Sequence, residues 1–218
     1  MRRWRRFHDR ADAGAVLAGA VADAVGRSDA RAVVVLGLPR GGVPVAAVVA
    51  ARVDGVLDVL AVRKIGAPAH HELAIGAVAS GGFVVLNDDV IAHLGVTAGD
   101  VERRTEIART ELAAQEGRWR SGRPPVALAG RVVVVVDDGL ATGATMGVAV
   151  RAVRAAGPAR LVAAVPVGAP DACQRLGAMA DVVVCPRRPA DFGAVGAWYA
   201  DFSATTDDDV LRLLTVQP

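Results

Sequence analysis

The chain has 218 residues, of which 53% are hydrophobic and 22% are charged. A chain this long and this apolar excludes general disorder and can bury the core of one α/β domain. Its 25 basic and 23 acidic side chains leave a net charge of +2, which gives no electrostatic basis for nucleic-acid binding. Cys173 and Cys185 lack metal-ligand spacing and are typical of core thiols in a reducing cytoplasm. No apolar run approaches the roughly 18 residues that span a bilayer, so we expect no membrane partner.

The N-terminal residues imitate a secretory signal. Four arginines within residues 2–6 precede an apolar stretch from Ala13 to Ala22. Asp9 and Asp12 lie between them, and the stretch is mostly Ala and Gly, which is unlike the apolar region of a signal peptide. We therefore predict a first helix with a solvated basic lead-in.

Short valine-rich runs without polar alternation predict strands that are buried on both faces, as in a parallel sheet. The runs are Ala32–Leu36, Val56–Val62, Phe83–Leu86, Val132–Val136, Leu161–Val165 and Val182–Val184. Helices are predicted between most of them, over Val43–Arg52, Thr97–Glu116 (N-cap Thr97, first-turn partner Asp100), Met146–Ala156 and Asp171–Ala178. This alternation predicts an α/β fold with a doubly wound parallel sheet flanked by helices. We expect a single domain over residues 1–218, with a core at about 30–184 and a C-terminal hood at about 185–218.

An acidic pair and a loop of small residues follow the Val132–Val136 strand. Asp137 and Asp138 end a buried strand, where two adjacent carboxylates repel each other and lose solvation unless a ligand or ion uses them. Gly139 and Gly143 allow a tight turn, after which backbone N–H groups converge at a helix N-terminus that can bind an anion. The segment therefore offers acceptors at one end and donors at the other, which is the polarity that a sugar phosphate requires. It contains neither GxxxxGK[ST] nor GxGxxG, which excludes a Walker loop and a dinucleotide fingerprint.

The run VVVVVDDGLATGAT resembles the phosphoribosyl pyrophosphate (PRPP) motif of type I phosphoribosyltransferases. The resemblance implies that Asp137 and Asp138 hold the ribose 2′- and 3′-hydroxyls. It also implies PRPP contacts from the rest of the motif, with the last five residues around the 5′-phosphate: Gly139, Leu140, Ala141, Thr142, Gly143, Ala144 and Thr145. Hypoxanthine-type relatives carry an Asp at the position of Ala141, where it acts on a ring nitrogen of the base. In this chain the proton transfer must involve another residue or water.

A second glycine-rich loop follows the first strand and suits a second anion. Gly41 and Gly42 expose backbone N–H groups, and Arg40 adds a guanidinium with paired donors. PRGG is similar to the pyrophosphate loop of purine phosphoribosyltransferases, which implies pyrophosphate contacts from these three residues and a cis peptide near Pro39–Arg40. Lys64, the only lysine of the chain, is expected to neutralise the departing pyrophosphate. The resemblance also implies Mg²⁺, bound through PRPP and pyrophosphate.

The segment Ala67–Gly82 is predicted to be a mobile loop. It contains His70, His71 and Glu72, but HExxH and a third spaced ligand are missing, so we expect no dedicated metal site. The family resemblance places a flexible loop here that closes over the reacting groups, where Glu72 or His71 could transfer the proton. An ordinary exposed loop fits the sequence equally well.

The C-terminal segment, residues 185–218, is rich in aromatic side chains. Phe192, Trp198, Tyr199 and Phe202 lie close together in a chain with only 4% aromatic residues. Trp198 and Tyr199 are the candidates to stack on a planar base, as C-terminal hood residues do in xanthine and uracil relatives. The alternative is that these rings only attach the segment to the sheet. Asp207–Asp209 are expected to cap a final helix.

The sequence therefore favours transfer of ribose 5-phosphate from PRPP to a nitrogenous base with release of pyrophosphate, as a cytoplasmic reaction of nucleotide salvage. Arg40, Lys64, Asp138 and Glu72 are the catalytic candidates. Two alternatives stay open: a PRPP-binding regulator without catalysis, and a phosphate-ester hydrolase with Asp137 as its nucleophile. The sequence does not specify the acceptor base. The resemblance implies a homodimer, and the near balance of charges gives no reason to expect a nucleic-acid partner.

Overall fold

The central layer of the fold is a five-stranded parallel sheet. In the computed structural model, which describes residues 5–26, 33–68 and 73–215, its strands are β1 (Val33–Gly37), β2 (Val56–Val59), β6 (Val132–Val136), β7 (Arg160–Ala164) and β8 (Val182–Val184). The strand order is β2-β1-β6-β7-β8, and every neighbouring pair is parallel. All five residues of β1 are buried, which explains why its sequence is a continuous apolar run. The predicted parallel α/β sheet is confirmed.

Helices cover both faces of this sheet. The helices are α1 (Arg10–Val25), α2 (Gly42–Val53), α3 (Asp88–Leu94), α4 (Ala98–Arg120), α5 (Ala144–Ala155), α6 (Pro170–Leu176) and α7 (Asp207–Thr215). Of these, α1 and α2 lie on one face and α5 and α6 on the other, whereas α3 and α4 pack on the strands between Val62 and Leu86. Side chains alternate along a strand, so Val33 and Val35 join one core with α1 and α2, whereas Val34 and Leu36 join a second core with α5 and α6. The predicted first helix is present as α1.

The N-caps observed at two helices differ in how well they agree with the sequence predictions. Thr97 caps α4 as predicted, since its hydroxyl accepts from the Asp100 N–H at 3.2 Å. At α7 the cap is Thr206, whose hydroxyl accepts from the Asp209 N–H at 3.1 Å while Asp209 Oδ2 accepts from the Thr206 N–H at 2.9 Å. This reciprocal pair is a capping box. The expectation that Asp207–Asp209 form the cap is therefore wrong, because they occupy the first turn.

A separate antiparallel sheet carries the chain between β2 and α3. Its strands, in spatial order, are β3 (Val62–Gly66), β4 (Ala74–Ala79) and β5 (Phe83–Leu86). The single strand predicted over Val56–Val62 is wrong, because β2 ends at Val59 and the chain enters the second sheet at Val62. The prediction that Phe83–Leu86 joins the parallel sheet is also wrong, because this strand pairs antiparallel with β4.

The strand β4 corrects the prediction that the whole of Ala67–Gly82 is a mobile loop. Its sequence, AIGAVA, is rich in Ala and Gly, which have weak strand propensity. Both of its edges are paired, and Ile75 and Val78 are buried. The strand therefore depends on tertiary pairing that local sequence does not reveal.

A buried ionic cluster connects the two sheets. Asp58 of β2 accepts from Arg120 Nε at 3.1 Å and from two backbone N–H groups at 2.8 and 3.0 Å. Arg120 of α4 also donates to the Val59 carbonyl at 2.8 Å and pairs with Glu116 at 3.1 Å. Glu116 in turn accepts from the hydroxyl of Ser80, which lies between β4 and β5. The cluster thus ties α4 and the antiparallel sheet to the edge of the parallel sheet.

The C-terminal segment packs against the residues that precede α1. The Phe7 N–H donates to the Trp198 carbonyl, and the Ala200 N–H donates to the Phe7 carbonyl, both at 2.8 Å. Phe7, Phe192 and Tyr199 form a small buried cluster together with side chains of α1 and the region after β7. The predicted hood therefore includes N-terminal residues. Among the helices in the described ranges, none combines the length and apolar character that a bilayer crossing requires.

Candidate functional site

The two glycine-rich loops predicted from the sequence meet at the carboxyl edge of the parallel sheet. The Leu38 N–H donates to the Val136 carbonyl at 2.8 Å, which joins the ends of β1 and β6. A Cβ atom on Gly41 would lie 2.1 Å from Asp138 Oδ2, and one on Gly42 would lie 2.6 Å from the Val136 carbonyl oxygen. Only glycine permits this approach, so the PRGG loop packs directly on the acidic pair.

The PRGG loop presents Arg40 at the rim of this site. The Pro39–Arg40 peptide bond is cis, which confirms the prediction drawn from the family resemblance. The Arg40 side chain is half exposed, and its Nη1 lies 3.8 Å from Asp207 Oδ1. An exposed pair at this distance is weak, so the guanidinium can turn towards an anionic ligand.

The acidic pair is largely withdrawn from solvent, and one guanidinium pairs with it at Asp138. The Asp138 N–H donates to Asp137 Oδ1 at 2.9 Å, and Arg10 Nε donates to Asp138 Oδ2 at 2.9 Å. Burial, and then the neighbouring Asp138 carboxylate, raise the pKa of Asp137 well above its ordinary value. Burial also raises the pKa of Asp138, although Arg10 acts in the opposite direction. Two such carboxylates gain from any ligand that donates hydrogen bonds to them, as a diol does.

The loop Ala141–Thr145 leads into the N-terminus of α5, the position at which the sequence predicts an anion site. Gly143 adopts the left-handed conformation with φ of 76°, and α5 begins without a side-chain cap. The Ala144 N–H donates to Thr142 Oγ1 at 3.4 Å, and the N–H groups that follow it lie at the positive end of the helix dipole, where an anion can accept from them. Every residue of the loop except Gly143 is exposed. Arg175 Nη2 of α6 donates to the Thr142 carbonyl at 3.1 Å and supports the loop from behind.

Leu140 anchors this loop instead of contacting a ligand. Its side chain is buried, its N–H donates to the Val167 carbonyl at 3.0 Å, and its carbonyl accepts from the Ala169 N–H at 2.8 Å. Gly139 is also enclosed, because a Cβ atom there would lie 2.5 Å from Val195. The predicted PRPP contact of Leu140 is therefore wrong, since its side chain and both backbone groups are engaged within the protein.

Lys64 shares a cleft with the loop Ala141–Thr145. It is exposed on β3, opposite Ala77 of β4. A cleft of about 490 Å³ between the antiparallel sheet and α5 is bordered by Lys64, Thr145 and Val148. The structure thus brings the only lysine of the chain to the same side of α5 as the loop predicted to hold a phosphate.

Comparison with known proteins gives the family. Residues 60–197 match the phosphoribosyl transferase domain family. The chain belongs to this family. It is 48% identical over 210 residues to MT0597 and Rv0571c of Mycobacterium tuberculosis (strains CDC 1551 and H37Rv), which are named provisionally as phosphoribosyl transferases. The match covers 95% of this chain and 46% of each relative, so the chain spans about half the length of the curated relatives it matches. The crystal structure of TT1426 from Thermus thermophilus is 49% identical, with a TM-score of 0.83, over 96% of this chain and 97% of that one.

In this phosphoribosyl transferase domain, Tyr199 is part of the wall behind the acidic pair. Its ring is buried between Phe7 and Phe202, with ring centroids 5.4 and 5.0 Å away. Its hydroxyl donates to the backbone carbonyl of Asp138 at 2.5 Å. The expectation that Tyr199 stacks on a base is therefore wrong, because a ring enclosed in this way offers no open face. The alternative, that the ring attaches the C-terminal segment, describes its position.

Two further sequence predictions stay predictions. Trp198 is half buried, its indole N–H donates to the Phe192 carbonyl at 2.8 Å, and its ring stacks on Phe192 at 6.3 Å between centroids. His70, His71 and Glu72 lie outside the residues that the structure describes. The proposed base contact of Trp198 and proton transfer by Glu72 or His71 thus await experiment.

Arg10 is the site residue of this phosphoribosyl transferase domain that sequence reasoning missed. It begins α1, and its sequence neighbourhood is a helix start with Asp9 as the N-cap. Arginine is abundant throughout the chain, so nothing local distinguishes Arg10 from the surface arginines around it. Only the fold brings its guanidinium to Asp138, which is 128 positions away in the sequence.

Proposed function

We propose that this chain transfers the 5-phosphoribosyl group of PRPP to a nitrogenous base and releases pyrophosphate. The packing of Gly41 on Asp138 carries the proposal, because it joins the PRGG loop to the acidic pair at the edge where α5 also begins. Each of these three elements matches one part of PRPP. The loop suits the pyrophosphate, the carboxylates suit the diol, and the α5 N-terminus suits the 5′-phosphate.

The acidic pair would position the sugar and stabilise charge during the reaction. As carboxylates, Asp137 and Asp138 accept hydrogen bonds from the 2′- and 3′-hydroxyls and so fix the ring and C1. Positive charge develops on the ring as the bond between C1 and the pyrophosphate oxygen lengthens, and the adjacent carboxylates stabilise that charge. The base nitrogen donates an electron pair to C1 to form the new bond, and the electron pair of the broken bond leaves on pyrophosphate.

The basic side chains would stabilise the leaving group. Arg40 lies on the loop that contacts the acidic pair, and Lys64 faces the cleft next to Thr145. Both can neutralise charge that builds on pyrophosphate. Mg²⁺ would arrive with PRPP and neutralise further charge on the phosphates. In the described ranges no cluster of three or more His, Cys, Asp or Glu side chains could hold a metal ion, so PRPP oxygens and water would supply most of its ligands.

Fewer residues of the chain can be assigned to the base that accepts the ribosyl group. Ala141 offers no side-chain group to a ring nitrogen, so we assign proton transfer to Glu72, His71 or water. We place the reaction in cytoplasmic nucleotide salvage, which agrees with Cys173 and Cys185 both being free thiols.

The test has two stages. Calorimetry of the folded protein with PRPP and Mg²⁺ should show binding, and a pyrophosphate-release assay with purines, pyrimidines and nicotinate-like acids should identify an acceptor. Absence of PRPP binding would overturn the proposal. Binding without release for every base would favour the PRPP-binding regulator, and trapping of a phosphorylated Asp137 would favour the hydrolase.

A further inference from the structure

Two side chains from opposite ends of the chain hold Asp138. Arg10 Nε donates to its carboxylate Oδ2 at 2.9 Å, and the Tyr199 hydroxyl donates to its backbone carbonyl at 2.5 Å. The side chains of Arg10 and Asp138 are only 12% and 14% exposed, so this charge-assisted hydrogen bond is largely shielded from water. Asp138 is therefore fixed at both its side chain and its backbone.

Arg10 is itself held in one orientation. Its Nη1 donates to the Ser203 carbonyl at 2.7 Å, and its guanidinium lies 4.1 Å from the centroid of the Phe202 ring. A guanidinium that stacks on a ring and donates in two directions has little rotational freedom left. Its Nε–H is thus directed at Asp138 before any ligand arrives.

Hydrogen bonds also join the backbone segments that carry these two side chains. The Asp201 N–H donates to the His8 carbonyl at 2.8 Å, next to the two hydrogen bonds that join Phe7 to the C-terminal segment. Arg10 lies two residues after His8, and Tyr199 lies two residues before Asp201. The N-terminal and C-terminal contributions to Asp138 therefore form one connected unit.

We propose that Arg10 and Tyr199 are positioning residues for PRPP binding, an inference that rests on the proposed function. Arg10 occupies Oδ2 of Asp138 and leaves Oδ1 to accept a hydrogen bond from a ribose hydroxyl. Tyr199 fixes the carbonyl of the same residue and so the path of the loop that leads to the N-terminus of α5. Neither side chain needs to touch the substrate.

The ionisable groups around Asp138 come from three directions. Arg10 faces it from α1, Asp137 precedes it in the same loop, and the Tyr199 phenol approaches from the C-terminal segment. Burial raises the pKa of Tyr199, which keeps the phenol protonated and able to donate at neutral pH. Arg10 is the positive member of this set, so its removal favours the protonated form of Asp138 and disfavours binding to a diol.

The experiment measures the dissociation constant of PRPP with Mg²⁺ by calorimetry from pH 5 to pH 9. Arg10→Gln should weaken binding about tenfold at neutral pH and move the pH midpoint of binding upward. Arg10→Lys should restore the midpoint, because the charge returns, but only part of the affinity, because the guanidinium geometry does not. Tyr199→Phe should weaken binding by about threefold without moving the midpoint.

The matched control is Arg187→Gln. The Arg187 guanidinium lies 3.6 Å from the centroid of the Phe7 ring, in the same aromatic cluster, and its replacement should leave PRPP affinity at the wild-type value. Wild-type affinity and midpoint in folded Arg10→Gln, or an equal loss in Arg187→Gln, would overturn the positioning roles. If Arg10→Gln does not fold, Arg10→Lys and Tyr199→Phe decide the question by the same measurements. Failure of the wild-type protein to bind PRPP would instead count against the proposed function.

Discussion

Two groups of carboxylates that are shielded from solvent have opposite surroundings. Asp58 accepts one hydrogen bond from Arg120 and two from the backbone N–H groups of Val59 and Val126, and Arg120 has further partners of its own. Asp137 and Asp138 are adjacent to each other, and the guanidinium of Arg10 pairs with Asp138 alone. The first group is a completed network, whereas the second places two like charges in a site with one counter-charge.

The difference separates a structural role from a binding role. A completed buried network is costly to break, because each removed partner leaves another group without its hydrogen bond. An incompletely neutralised pair destabilises the ligand-free fold and recovers that energy only when a ligand donates to it. From this contrast we predict a structural role for Asp58 and a ligand-binding role for the acidic pair.

The largest effect is expected on stability, from substitution of the structural carboxylate Asp58. Asp58→Ala removes one of the two carboxylates that pair with the buried Arg120, together with the acceptor of two backbone N–H groups, and should lower the free energy of unfolding by about 3–5 kcal/mol. Urea denaturation measures this loss. The control Asp171→Ala removes an exposed acid from α6 and should change stability by about 0.5 kcal/mol or less. A loss below about 1 kcal/mol for Asp58→Ala would show that the buried network is not what joins the two sheets.

The next largest effect is expected on PRPP affinity, from substitution of Asp138. Asp138→Asn keeps the size of the side chain but removes the charge that the diol and Arg10 both use, so PRPP affinity should fall about 10- to 100-fold. Calorimetry with Mg²⁺ present measures the loss, and Asp171→Asn is the control of equal charge change. Unchanged affinity in a folded Asp138→Asn variant would remove this carboxylate from sugar binding.

The fold could be predicted largely because its signals are local. Buried parallel strands are continuous valine runs, so the Val132–Val136 strand and the loop that follows it are readable from neighbouring residues alone. The paired glycines of the PRGG loop are also a local requirement, and the close approach of Gly41 to Asp138 gives the physical reason for them. These features account for most of the binding elements.

The features that sequence reasoning missed depend on distant partners. Asp58 and Arg120 are separated by 62 positions, and Arg10 and Asp138 by 128, with no spacing pattern that links either pair. The strand β4 has a weak local signal and exists because β3 and β5 pair with it. Only the folded chain shows which of the many arginines meets a buried acid.

A smaller effect of opposite sign is expected at Asp137, where substitution should stabilise the ligand-free fold. Asp137→Asn removes one of two like charges, while the amide oxygen can still accept from the Asp138 N–H. The ligand-free protein should therefore become more stable, by about 1 kcal/mol, and should bind PRPP more weakly. Thermal and urea unfolding check the gain, and Asp58→Asn, which should destabilise, is the matched comparison. Destabilisation by both variants would contradict the assignment of Asp137 to function.

The smallest effect is a pH dependence with opposite signs for stability and binding. Burial raises the pKa of Asp137 and of Asp138 above the ordinary 3.8, so between that value and the raised values the folded state holds more protons than the unfolded state. Stability of the ligand-free protein should therefore increase as the pH falls through the raised pKa values towards 3.8. PRPP affinity should decrease over the same interval, because the diol requires carboxylates.

Asp9 and His8 also titrate and contribute to the pH dependence of stability. Asp9, whose pKa is lowered by hydrogen bonds from the Asp12 N–H and from His8, contributes stability that is lost only below about pH 4, outside the interval. The exposed His8, whose pKa is raised by Asp9, contributes stability that is lost as the pH rises, which has the same sign as the acidic pair. Thermal unfolding of Asp137→Asn at pH 5, 6 and 7 separates the two sources, because the variant retains His8. Its stability should vary less with pH than that of the wild type, and an unchanged slope would assign the pH dependence to His8 instead of the acidic pair.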